Sequence, residues 1–130
     1  MNSKPGIFTI EDIKLLVDTF YERIKADALL GPVFNGVIQD NWAVHLEKMY
    51  RFWQTVLLNE HTYFGRPFPP HANLPVGAEH FDKWLALFTK TVDELFEGEK
   101  AEEAKWRAGK MAEMFQAKIA YFKSNRFSIQ

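Results

Sequence analysis

A chain of 130 residues has room for one domain around one core. Its charged residues, 25% of the total, cancel to a net charge of -1, so no strong field gathers a polyanion and nucleic acid is not an expected partner. The absence of cysteine removes disulfides, thiolate metal sites, cysteine nucleophiles and cofactor attachment through C-x-x-C-H, and fits a reducing, cytoplasmic setting.

The start, Met1 to Phe8, lacks a basic stretch followed by an apolar run, and no segment approaches the roughly 18 apolar residues of a membrane span. No membrane partner is expected. Ile10, Ile13, Leu16, Val17, Phe20, Tyr21 and Ile24 recur at steps of three and four, with Thr9 and Asp12 as a capping pair, and predict a helix to about Ala26. Gly31, Pro32 and Gly36 interrupt the pattern, so Asp27 to Gln39 reads as a corner. A second helix follows Asp40 and ends near Asn59, burying Trp42, Met49, Phe52, Trp53, Val56 and Leu57 and pointing Glu47, Lys48 and Arg51 elsewhere.

Between Glu60 and Gly77 lie Pro67, Pro69, Pro70, Pro75 and Gly65, which exclude a long helix; irregular segments of this length tend to be functional. Helical periodicity returns at Phe81, Trp84, Leu85, Phe88, Val92 and Leu95 and stops at Gly98. A last helix holds Ala101, Ala104, Ala108, Met111, Phe115, Ile119 and Phe122 on one face. No strand alternation, repeat or low-complexity segment appears, so the fold class is all-α. One domain spans 1–130, with residues 1–8 and 124–130 as flexible ends.

Twelve Phe and four Trp exceed what packing a bundle of this size requires, and suggest a large flat group inside. Among the histidines, His45 borders the apolar face of the second helix, and His71 sits after Pro69 and Pro70, whose fixed φ angles restrict its loop. His61 and His80 lack comparable settings. Glu-x-x-His pairs, His-Glu-x-x-His, phosphate-binding glycine loops and nucleophile elbows are all absent. A cofactor held between helices by one imidazole and aromatic walls uses most of what is unusual here.

These residues resemble the truncated haemoglobins, and among them the third, bacterial group, from about Phe8 to Phe122. The likeness is carried by Phe20-Tyr21, Gly31-Pro32-Val33-Phe34, His45 with Phe52-Trp53, His71 and Trp84. Tyr21 and Phe34 stand 13 positions apart, as the family's distal tyrosine and haem-stacking phenylalanine do. The Gly-Gly pairs usual in the other two groups do not occur.

The resemblance implies a two-over-two helical sandwich enclosing a non-covalent b-type haem whose iron is penta-coordinate, with His71 as proximal ligand. It implies Tyr21, Trp84 and His45 as distal hydrogen-bond donors, Phe34 stacked on the haem edge, and Met49, Phe52, Met111 and Phe115 as apolar walls. Phe20 and Trp53 support the pocket. Lys48 and Arg66 are candidates for the propionates on charge and position. Dioxygen, nitric oxide and carbon monoxide are the implied ligands, with a reductase to recycle iron.

Donors aimed at a bound ligand slow its release, so the expected role is oxygen, nitric oxide or peroxide redox chemistry more than bulk transport. A haem-based gas sensor and a cofactor-free helical interaction module are the alternatives.

Overall fold

The computed structural model describes residues 3–65 and 76–128, with residues 122–128 described by their backbone alone. All its regular elements are helices: α1 (Ile10–Ala26), α2 (Leu30–Ile38), α3 (Trp42–Leu58), α4 (Ala78–Leu95) and α5 (Glu99–Ser128). Helix α1 packs on α3, α4 packs on α5, and the two pairs meet where α1 crosses α4 and α3 touches α5. The result is a two-over-two helical sandwich.

Helix α1 starts where its sequence pattern places it. The Asp12 N–H donates to the Thr9 hydroxyl, and the Asp12 carboxylate accepts in return from the Thr9 N–H at 3.0 Å, a reciprocal cap that satisfies the helix's orphan donors. Its apolar stripe of Ile13, Leu16, Val17, Phe20, Tyr21 and Ile24 is buried in the core where α1 packs on α3 and α4.

The corner expected over 27–39 contains a helix instead. Asp27 begins it: its backbone carbonyl accepts from Gly31 N–H, and its carboxylate accepts from the N–H groups of Leu29 and Leu30 at 3.0 and 2.9 Å. Pro32 falls in the first turn, where a missing N–H costs nothing. Gly31 is required by proximity, since a Cβ there would sit 2.6 Å from the Lys25 carbonyl oxygen. Both supposed helix breakers thus serve a tight α1–α2 junction.

The backbone N–H of Leu30 does most to hold the Asp27 carboxyl below the usual carboxylate range, and Leu29 N–H and Lys83, 3.4 Å away, add to it. A lowered folded-state value means stability that is present above the unfolded value of about 3.9 and lost as pH falls through the folded one. Asp27→Ala is therefore expected to cost about 1–2 kcal/mol at neutral pH. In urea melts the gap to wild type should close below roughly pH 4. A gap that persists undiminished in acid would show that the carboxylate is not its source.

The N-terminal stretch, expected to be loose, is strapped down from Lys4 onward. Ile7 is fully buried, Pro5 accepts from the Glu97 N–H at 3.0 Å, and the Lys4 side chain donates to the Asp93 carbonyl. This strap closes the α4–α5 corner, which turns at Gly98 with φ +104°. At the other end α5 continues past the expected stop near 124. Its Ala101, Ala104, Ala108 and Ala112 are buried, a stripe of small side chains that brings α4 close. Among the described residues no helix is long and apolar enough to cross a membrane.

Candidate functional site

The sandwich encloses a cavity of about 680 Å³, reached by α1, α2, α3, the segment after α3, the start of α4 and the second half of α5. That size lies within the range of roughly 300–1,000 Å³ usual for cofactor and ligand sites. The walls are mostly apolar. Leu30, Val33 and Phe34 come from α2, Met49 and Phe52 from α3, Phe81 from α4, and Met111, Ala112 and Phe115 from α5.

Polar groups enter at separate places. Tyr21 and His45 face each other across α1 and α3 with ring centroids 5.0 Å apart and planes at 90°, and Phe34 closes on Tyr21 at 6.1 Å. Tyr21 is only 6% exposed, and burial pushes its hydroxyl far above the ordinary phenol value. It therefore stays protonated, and a donor, at any physiological pH. Exposed Glu47 and Lys48 mark where the cavity opens to solvent.

Behind the cavity wall lies an aromatic stack. Phe88 sits between Trp53, at 5.1 Å and 19°, and Trp84, at 5.7 Å and 8°, while Phe20 meets Phe88 and Trp84 edge-on at 5.2 and 5.6 Å. Phe20, Trp53 and Trp84 reach the cavity from this stack. The helical spacing of Phe81, Trp84 and Phe88 keeps α4 in register with it.

Of the residues singled out in the sequence, Phe20, Tyr21, Phe34, His45, Lys48, Met49, Phe52, Trp84, Met111 and Phe115 all line this one cavity. His71 and Arg66 lie outside the described residues. Four readings need correction. Glu47, Lys48 and Arg51, expected to point away from the buried face of the second helix, all line the cavity at its rim. Arg51 is held there by Glu47 at 2.8 Å and by the Gln54 side-chain oxygen at 2.9 Å. His80, passed over in the sequence, also lines the cavity, and its Nδ1 accepts from the Gly77 N–H at 3.0 Å. Its place one turn before Trp84 was the available signal.

Thr62 and Tyr63 were missed altogether. They belong to a segment with no periodicity, folded back on α3 by the Thr55 hydroxyl, which accepts from the N–H groups of Thr62 and Tyr63 at 3.1 and 3.0 Å. Tyr63 then stands edge-on to Phe52 at 5.4 Å, and burial raises its phenol. His61 is exposed and is not part of the lining.

The residues present fit a flat, amphiphilic cofactor. The walls accept an apolar ring system, Lys48 at the open rim offers a cation to carboxylates, and a buried neutral phenol beside an imidazole offers polar contact within. No group of three or more His, Cys, Asp or Glu among the described residues is arranged to hold a bare metal ion.

Comparison with known proteins points the same way. The bacterial-like globin family model matches residues 7–119. The chain is 36% identical over 110 residues to the group 3 truncated hemoglobin ctb of Campylobacter jejuni, covering 82% of this chain and 87% of that one. Among solved structures, the group III truncated hemoglobin from Campylobacter jejuni superposes with a TM-score of 0.81 at 33% identity, over 89% of this chain and 94% of the other. The truncated oxygen-avid haemoglobin from Bacillus subtilis gives a TM-score of 0.70 at 28% identity, over 83% and 93%.

Proposed function

Because this chain belongs to the bacterial-like globins, and among them to the group III truncated haemoglobins, we propose that its cavity holds one b-type haem, bound without a covalent link and ligated by His71. Haem, when bound, would supply the iron at which a diatomic gas binds. The chain's own residues decide which gas stays and for how long.

The observation that carries this reading is the buried phenol of Tyr21 set against His45 in a cavity whose walls are mostly apolar. A neutral tyrosine is costly to bury unless its O–H finds an acceptor, and a bound ligand supplies one. Trp84 offers a second donor, its indole N–H, and His45 a third. Phe34, Met49, Phe52, Met111 and Phe115 clasp the ring and keep water from it. Lys48 meets a propionate at the rim, and Arg66 is proposed for the other. Arg51 is already engaged by Glu47 and Gln54.

Donors that reach the bound ligand slow the release of dioxygen, a poor property in a carrier. The structural relative from Bacillus subtilis is itself an oxygen-avid haemoglobin. The proposed role is accordingly reaction with a second small molecule: nitric oxide combines with dioxygen and one electron to give nitrate, and an external reductase supplies the electron. Peroxide is the other substrate that such a donor set accommodates.

The test is the visible spectrum of the purified protein titrated with haem, oxidised, reduced, and reduced under carbon monoxide, for wild type and for His71→Gly. One equivalent of haem with a Soret band that shifts under carbon monoxide is expected for wild type. His71→Gly should lose the histidine-ligated spectrum and regain it when imidazole is added. Absence of stoichiometric uptake by wild type would defeat the reading, and an unchanged spectrum in the variant would remove His71 from its role.

A further inference from the structure

Trp42 is absent from the cavity lining, yet it touches both polar residues of the Tyr21–His45 side. Its ring meets Tyr21 at 6.0 Å and 61° and His45 at 5.7 Å and 89°, while Tyr21 and His45 themselves meet at 5.0 Å and 90°. The three rings make a closed triangle in which every side is an edge-to-face contact, the arrangement that ring quadrupoles favour. No member can change rotamer without breaking two of the three contacts.

The triangle is anchored from outside. The indole N–H of Trp42 donates to the Asn35 side-chain oxygen at 3.2 Å, and the Lys25 ammonium lies 4.5 Å from the indole centroid. Trp42 opens α3, Asn35 belongs to α2, and Lys25 and Tyr21 belong to α1, so one indole ties α2 to the two helices that present Tyr21 and His45. A residue that served only to fill space at this half-buried position would not need a hydrogen bond, a cation and two edge-on ring contacts at once.

We propose that Trp42 is a positioning residue: it locks the Tyr21 phenol and the His45 imidazole into one rigid unit, and so sets how tightly the cavity retains a diatomic ligand. This rests on the haem-globin reading above. A lock predicts a single ligand environment, because the donors have one arrangement; without it Tyr21 and His45 sample several and hold the ligand less well.

The experiment compares wild type, Trp42→Leu, Trp42→Phe and Asn35→Ala, with Trp42→Leu also placed in a Tyr21→Phe background. The readouts are the C–O stretching band of the carbon monoxide complex, the dioxygen dissociation rate, and ring-to-ring nuclear Overhauser contacts between Tyr21 and His45 in the haem-free protein. Trp42→Leu is expected to split the C–O band, weaken the ring contacts and speed dioxygen release about fivefold. Trp42→Phe, which keeps an aromatic edge, should stay within about twofold of wild type. Asn35→Ala, at an exposed position that leaves the core intact, should move band and rate in the same direction by about twofold, and serves if Trp42→Leu does not fold.

In the Tyr21→Phe background the leucine substitution should lose most of its effect, since Trp42 acts through Tyr21. A merely structural role would lower the melting temperature and leave a single unshifted C–O band, and that result would overturn the proposal. So would an effect of equal size with and without the Tyr21 hydroxyl. If wild type itself takes up no haem, the haem reading fails first and takes this one with it, an outcome separate from a haem-loaded protein that is indifferent to Trp42.

Discussion

Tyr21→Phe is expected to raise the dioxygen dissociation rate roughly 10- to 100-fold, the range given by losing a hydrogen bond of about 1.5–3 kcal/mol to an acceptor that carries charge. Carbon monoxide release should change by less than about threefold, since that ligand draws little charge to its outer atom. The effect depends on the state of the phenol. Its near-complete burial keeps it protonated, and its ring is held by Phe20 at 5.0 Å, Phe34 at 6.1 Å and His45 at 5.0 Å, so the hydroxyl is aimed before any ligand arrives. Removing one oxygen from a held ring leaves those packing contacts in place, and stopped-flow release of each gas reads the donor alone. Equal changes for both gases would mean that access, and not hydrogen bonding, had been altered.

The same residue shows why part of this molecule was legible in its sequence. Tyr21 lies on a stripe repeating at three and four residues, begun by a capping pair at Thr9 and Asp12, and local rules of that kind place α1, α3 and the start of α5 almost to the residue. Helix α2 broke those rules: Gly31 and Pro32 look like punctuation until the Lys25 carbonyl is seen 2.6 Å from where a Cβ would be. A tertiary contact explains the glycine, and nothing local announces it.

For the site, periodicity and family resemblance together led to residues that line the cavity from the helices. They did not lead to Thr62 and Tyr63, whose position depends on the Thr55 hydroxyl capturing a non-periodic segment. His80 and Arg51 were misjudged for another reason. Helical phase gives the direction of a Cβ but not how far a long or polar side chain reaches around a rim. Trp42 was read as one more buried aromatic, because its partners Asn35 and Lys25 sit on other helices.

Phe88→Ala is expected to produce the largest loss of stability among single core substitutions. Phe88 is 1% exposed, does not line the cavity, and lies between the Trp53 and Trp84 rings with Phe20 edge-on, so its removal leaves a void bounded by three large aromatics that cannot collapse together. Deleting such a ring costs about 3–5 kcal/mol, against a total stability on the order of 6–20 kcal/mol for a chain of this length.

The melting temperature of the haem-free protein should fall by roughly 10–20 °C, whereas Phe88→Leu, which keeps most of the volume, should cost only about 1–2 kcal/mol. Because Phe20, Trp53 and Trp84 all reach the cavity from this stack, the alanine variant should also surrender haem to an acceptor protein at least tenfold faster than wild type, an effect of about 1.4 kcal/mol or more on retention. If instead the protein lost stability but held haem as firmly as before, the shape of the cavity would be set from the other side, by Met111 and Phe115 of α5, and the stack would serve the fold alone.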